Sequence, residues 1–380
     1  MRNFLTIVLS PIILKVLWVI SQTFRHGSLD KEKNEIIRRA NYLVSKVRDP
    51  EQLFNEMPNW FGPQFQGEWA LYTCSMTTIA LANIANLYPE KRDMAIKHIE
   101  RIIDITLSSK IREYDRERWD EDPLESLDGN KSHMSYLSHL AWMIGRFKQI
   151  GGSNKYDSLY HLVCDALHRR MLQSPYLNLP TYPPECIYVP DMLVVIVALK
   201  EYADLYDGRY LQTIHKWMRK AKTEWIDPKT GLLASRLSEY GDVVGDVRGS
   251  YSALNCFYLS LVDKEFAQKQ YEIFKRIFKQ TMPFTGIKEY QEETPMFGMD
   301  PDAGPILFKM SPSGTAFAVG CATTCGDKKF RKQLLRTAEI AGSTIRWKDK
   351  SHYLLANWAL VGEAVMLAGR TSHGETMTEK

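Results

Sequence analysis

The chain has 380 residues, 44% of them hydrophobic and 25% charged, with a formal net charge of +4. This is the balance of a globular protein with a large core. The basic run Arg112–Arg118 is interleaved with Glu113, Asp115 and Glu117; no phosphate-tracking stripe results, which argues against nucleic-acid binding. The six cysteines (Cys74, Cys164, Cys186, Cys256, Cys321, Cys325) form no CxxC pair and have no histidine at zinc-ligand spacing, so neither a metal site nor a disulfide framework is expected.

The N-terminus stands apart. Arg2 precedes Phe4–Ile20, an apolar run broken only by Thr6, Ser10, Pro11 and Lys15, close to the roughly 17 residues needed to span a bilayer. Residues 1–25 are therefore expected to be a membrane anchor or a signal sequence, with the protein membrane-anchored or exported and the periplasmic side favoured.

After residue 30 the apolar periodicity predicts about twelve helices. Ala70–Leu87, the stretch 133–150, Met192–Leu199, Tyr251–Val262, Gly314–Cys325 and Tyr353–Gly369 are apolar on nearly every side. Glu90–Ile105, Asn154–Arg170, Arg209–Trp225, Glu265–Gln280 and Lys328–Ile340 carry a charged stripe. A helix apolar all round is buried, and a striped one faces water.

The links alternate as well. Short turns lie at Tyr88-Pro89, Gly151-Gly152, Asp207-Gly208, Val262-Asp263 and Gly326-Asp327; long links run over 48–66, 108–130, 173–189, 226–247 and 282–312, with a shorter one at 346–352. These patterns predict an all-α fold, an (α/α)6 barrel of six inner and six outer helices, as one domain over 30–372 with a flexible tail at 373–380. All long links then fall on one face, where function is usually carried.

That face receives the N-termini of the inner helices, whose dipoles favour carboxylates. Candidate substrate-binding residues there are Glu68, Trp69, Tyr136, Tyr188, Arg248, Tyr251 and Asp302; candidate catalytic residues are His139, Tyr182, Glu185 and Asp191. Aromatics with carboxylates and few lysines suit a neutral, partly apolar molecule bearing hydroxyls, a sugar or an alcohol. Each candidate has a plainer role open to it. Asp191 follows Pro190 and fits a helix cap, His139 fits a core histidine, Glu185 a solvated loop charge, and Arg248 a structural ion pair. Asp300 and Asp302 lack the spacing of a calcium loop.

Several stretches resemble the bacterial linalool dehydratase-isomerase family: Asp122-Pro123-Leu124-Glu125, the helix with Ser138-His139-Leu140, the Tyr182-Pro183-Pro184-Glu185 loop, Asp227–Leu232 and Phe266–Thr281, with a looser match over Gly304–Phe330. The resemblance spans roughly residues 65–345. It implies an (α/α)6 barrel, often a homo-oligomer, that adds or removes water at an isoprenoid alcohol without a cofactor. It also implies a catalytic role for His139. The family's two cysteines correspond here to Tyr182 and Asp191, so the linalool reaction itself carries over poorly. The expectation is a cofactor-independent lyase or isomerase acting on a terpenoid-like alcohol. The alternatives are a glycan-acting hydrolase, lyase or epimerase, whose chemistry a pair of carboxyl groups would serve, and a non-catalytic binding barrel.

Overall fold

Helices too apolar to face water on any side must find other helices, and here they find one another in a closed ring. The computed structural model describes residues 14, 15, 17, 29–184, 187–292 and 295–372. Its α-helices in chain order are α1 (Leu29–Lys46), α2 (Pro50–Asn55), α3 (Pro63–Leu87), α4 (Arg92–Thr106), α5 (Ser109–Trp119), α6 (Met134–Gln149) and α7 (Asp157–Gln173). They continue with α8 (Val189–Leu205), α9 (Leu211–Thr223), α10 (Gly249–Leu259), α11 (Lys264–Phe278), α12 (Pro312–Thr324), α13 (Lys328–Gly342) and α14 (Leu360–Thr371). The inner ring runs α3, α6, α8, α10, α12, α14 and back to α3, each helix packed on the next. The outer ring is α1, α4, α7, α9, α11 and α13. This is the (α/α)6 barrel.

The outer helices show why they stay outside. In α9 only Thr213, Ile214, Trp217, Met218 and Ala221 are buried, a single stripe at helical spacing. The short turns are defined by their caps. Asp263 and Asp327 accept the N–H groups of Phe266 and Phe330 at 2.9 Å each, starting α11 and α13 one turn after α10 and α12 end. Two inner helices approach closely where they carry glycine: a Cβ on Gly369 of α14 would lie 2.8 Å from the Gly320 nitrogen of α12.

The long links are less irregular than the sequence reading supposes. Within 108–130, Ser109–Trp119 is helical, capped by Ser108, whose Oγ accepts the Ile111 N–H at 3.4 Å. Its charged residues hide the pattern, because Asp115 and Arg118 are buried with Ile111, Tyr114 and Trp119. Pro50–Asn55 is also helical. Four two-stranded antiparallel ribbons brace the other links: β1 (Ile187–Tyr188) with β2 (Arg236–Leu237), β3 (Lys279–Gln280) with β4 (Gly286–Ile287), β5 (Phe297–Asp300) with β6 (Gly304–Leu307), and β7 (Thr344–Trp347) with β8 (Lys350–Tyr353). The last inner helix starts at Leu360, not Tyr353, because Tyr353 pairs with Thr344 in the β7–β8 ribbon.

The membrane assignment requires correction. Among the described residues no helix is long and apolar enough to cross a bilayer, and the barrel's most apolar helices are engaged with one another in the ring. The transmembrane, membrane-anchored and exported assignments are therefore withdrawn. Apart from residues 14, 15 and 17, the segment 1–25 on which they rested lies outside the described residues, as does the tail 373–380.

Candidate active site

A cavity of about 260 Å³ opens where the inner helices begin. Five of the six inner helices line it near their N-termini: Glu68, Trp69 and Tyr72 from α3, Asp191 from α8, Tyr251 and Leu254 from α10, Ser313 and Phe317 from α12, and Val361 and Val365 from α14. The long links add Trp60, Phe61, Tyr182, Met299, Asp300 and Asp302, and Tyr188 joins them where β1 meets α8. Its volume is below the 300–1,000 Å³ usual for larger ligands, which suits one small ring.

Asp191 lies in the first turn of α8, yet its carboxylate does not cap the helix. Oδ1 accepts the Tyr72 hydroxyl at 3.3 Å and Oδ2 accepts the Thr181 hydroxyl at 3.0 Å. Burial pushes its pKa up to about 7, with the nearby charges of Glu68 and Asp302 adding to the rise and the two hydroxyls opposing it. Asp191 is thus poised between acid and carboxylate near neutrality.

Glu68 faces the same cavity as a different kind of carboxylate. Its Oε2 accepts from Arg118 at 3.1 Å and from the Tyr182 hydroxyl at 3.2 Å, and Arg118 also lies over the Tyr182 ring, 4.1 Å from its centroid. Across the cavity Tyr251 donates to Asp302 at 2.5 Å. Burial raises the Asp302 pKa against the opposing pull of Tyr251 and Arg248. Arg248 pairs with Glu289 at 2.6 Å, Asp300 at 2.8 Å and Asp302 at 3.7 Å. Burial opposes ionisation of Asp300, but the Ala303 N–H and Arg248 hold its pKa below the usual value.

The structure therefore gathers Glu68, Trp69, Tyr182, Tyr188, Asp191, Tyr251 and Asp302 around one cavity and sets Arg248 behind its wall. It leaves two candidates elsewhere. Tyr136 is buried and donates to the Thr106 carbonyl at 2.9 Å. His139 packs against Tyr72 with ring centroids 4.4 Å apart, and its Nδ1 meets the Ser75 hydroxyl at 2.8 Å. Burial pushes its pKa down to about 3, so it is neutral and behind the cavity wall. Glu185 lies outside the described residues, as does Cys186.

Sequence reasoning missed Tyr72, Thr181, Arg118 and Phe317. Tyr72 was reachable, being four residues after Glu68 and so on the same helix face. Thr181 and Arg118 carry no comparable signal. Among the described residues no group of acidic, histidine or cysteine side chains is arranged to hold a metal ion.

No family model matches the chain. Among solved structures it is similar to a glycoside hydrolase of family 105 from C. acetobutylicum ATCC 824, at 11% identity and a TM-score of 0.55, over 78% of this chain and 92% of that one. It is also similar to an unsaturated glucuronyl hydrolase specific for heparin, at 11% identity and a TM-score of 0.57, over 90% and 96%. At that identity the likeness establishes the shared barrel and leaves the chemistry to the site. The linalool dehydratase-isomerase assignment finds no counterpart in these neighbours. The geometry agrees: the histidine that resemblance would make catalytic is sealed behind Tyr72, and no described cysteine lines the cavity.

Proposed function

We propose that the protein hydrolyses a glycosidic bond, with Asp191 as the proton donor. One observation carries this: a carboxyl group whose pKa is pushed up to about 7 lines an aromatic cavity beside a second carboxylate that is ion-paired. Cleavage needs an acid to protonate the leaving oxygen and a carboxylate to activate water or stabilise the oxocarbenium-like transition state. Asp191 fills the first role. Glu68, ion-paired with Arg118 at 3.1 Å, fills the second, and its charge also helps keep the proton on Asp191. Trp69, Tyr182, Tyr188 and Tyr251 supply the aromatic faces on which sugar rings stack. The hydrolase folds of the two structural neighbours support this reading.

The test is turnover of a panel of aryl glycosides. We expect release of the aryl alcohol, and Asp191→Asn should lower kcat by roughly 10²–10⁴-fold with an unchanged circular dichroism spectrum. In the wild type the rate should fall about tenfold per pH unit above pH 7, where Asp191 loses its proton. A rate indifferent to the Asn substitution would remove Asp191 from the chemistry.

A further inference from the structure

Every charged side chain lining the cavity among the described residues is a carboxylate: Glu68, Asp191, Asp300 and Asp302. The two arginines close by are already engaged. Arg118 has a side chain 2% exposed and is bound to Glu68 at 3.1 Å. Arg248 is shared among Glu289, Asp300 and Asp302. Neither lines the cavity. Diverting either one to a ligand would strip a buried carboxylate of its counter-ion.

We propose that this cavity takes a sugar ring that is uncharged or carries an amine, and rejects rings bearing a carboxylate or sulfate. An anionic ring would lie against Asp302 and Glu68 with no cation to meet it, and like charges brought together out of water repel strongly. An ammonium group would find both carboxylates and the faces of Trp69, Tyr182 and Tyr251. The cavity thereby differs from what a glucuronyl substrate requires, since a glucuronyl group carries a carboxylate. The choice of a sugar rests on the hydrolase reading above; the charge argument concerns binding alone.

The experiment separates the two. Phenyl thioglycosides resist hydrolysis, so calorimetric titration of the intact protein at pH 7.5 reads binding without turnover. The probes are the gluco and galacto rings in their neutral, 2-amino and uronate forms. The neutral and amino forms of at least one epimer should bind, with the matching uronate at least about tenfold weaker. Asp302→Asn, checked for an unchanged melting temperature, should narrow that gap. A uronate bound within twofold of its neutral parent, or more tightly, overturns the inference, and so does failure of all the probes to bind. The expected binding order without turnover of the matching oxygen glycosides would remove the hydrolase reading and leave the charge selectivity standing.

Discussion

A carboxyl group that ionises only near neutrality is costly to keep in a folded protein, and the cost has a definite pH signature. Asp191 rises from an ordinary 3.8 to about 7. Between those values the folded chain holds a proton that the unfolded chain has released, so stability falls as pH rises, and above about 7 the penalty is complete. Asp191→Asn removes it. The variant should melt close to the wild type near pH 4, gain steadily up to pH 7 and gain no more beyond. A gain independent of pH would mean that Asp191 titrates normally. Its neighbour behaves oppositely: Arg118→Leu leaves buried Glu68 without its cation, and should destabilise by about 3–5 kcal/mol. Arg118→Leu with Glu68→Gln should recover part of that loss in urea titrations. At this scale the sequence was informative about residue type and poor about direction. Asp191 and His139 looked equally suited to chemistry, and what separates them is Tyr72, one aromatic ring that shields the histidine and holds the aspartate.

At the scale of elements, helix α1 is held by charge to parts of the chain far from it in sequence. Arg39 is fully buried and reaches Glu363 at 2.5 Å, Glu35 at 3.1 Å and Glu339 at 3.6 Å, with the Thr344 hydroxyl at 2.7 Å. Its ring of partners joins α1, α13, α14 and β7. Arg39→Met should cost about 3–5 kcal/mol in urea unfolding, because it strips fully buried Glu363 of the guanidinium bound to it at 2.5 Å. Such an element is legible only in part. The apolar stripe of a helix such as α9 can be read directly from spacing, whereas α5 buries Asp115 and Arg118 and so defeats any pattern that equates charge with exposure. The final link fails for another reason: strand pairing between Thr344 and Tyr353 is a tertiary event with no local periodicity behind it.

At the scale of the molecule, alternation of helix polarity and link length was enough to read the barrel, because a closed ring needs only that every second helix be apolar throughout. The seam between α12 and α14 is tight in a way that pattern does not convey. Gly320 faces Phe257 and Gly369 at distances that leave no room for a Cβ. Gly369→Ala should destabilise by about 1–3 kcal/mol through overpacking, read as a lower urea midpoint. An unchanged midpoint would show that the ring can open there without cost.

The same closure sets a timetable for synthesis. Arg39 and Glu363 are 324 positions apart, so α1 leaves the ribosome long before its counter-charge exists. The cavity obeys the same order, taking Trp69 from an early helix and Val361 and Val365 from the last one. Until Leu360–Thr371 emerges, the nascent barrel carries an open apolar slot in its wall, exposed to chaperones and proteases alike. A chain released before that point would be recognised as unfinished by the slot it could not fill.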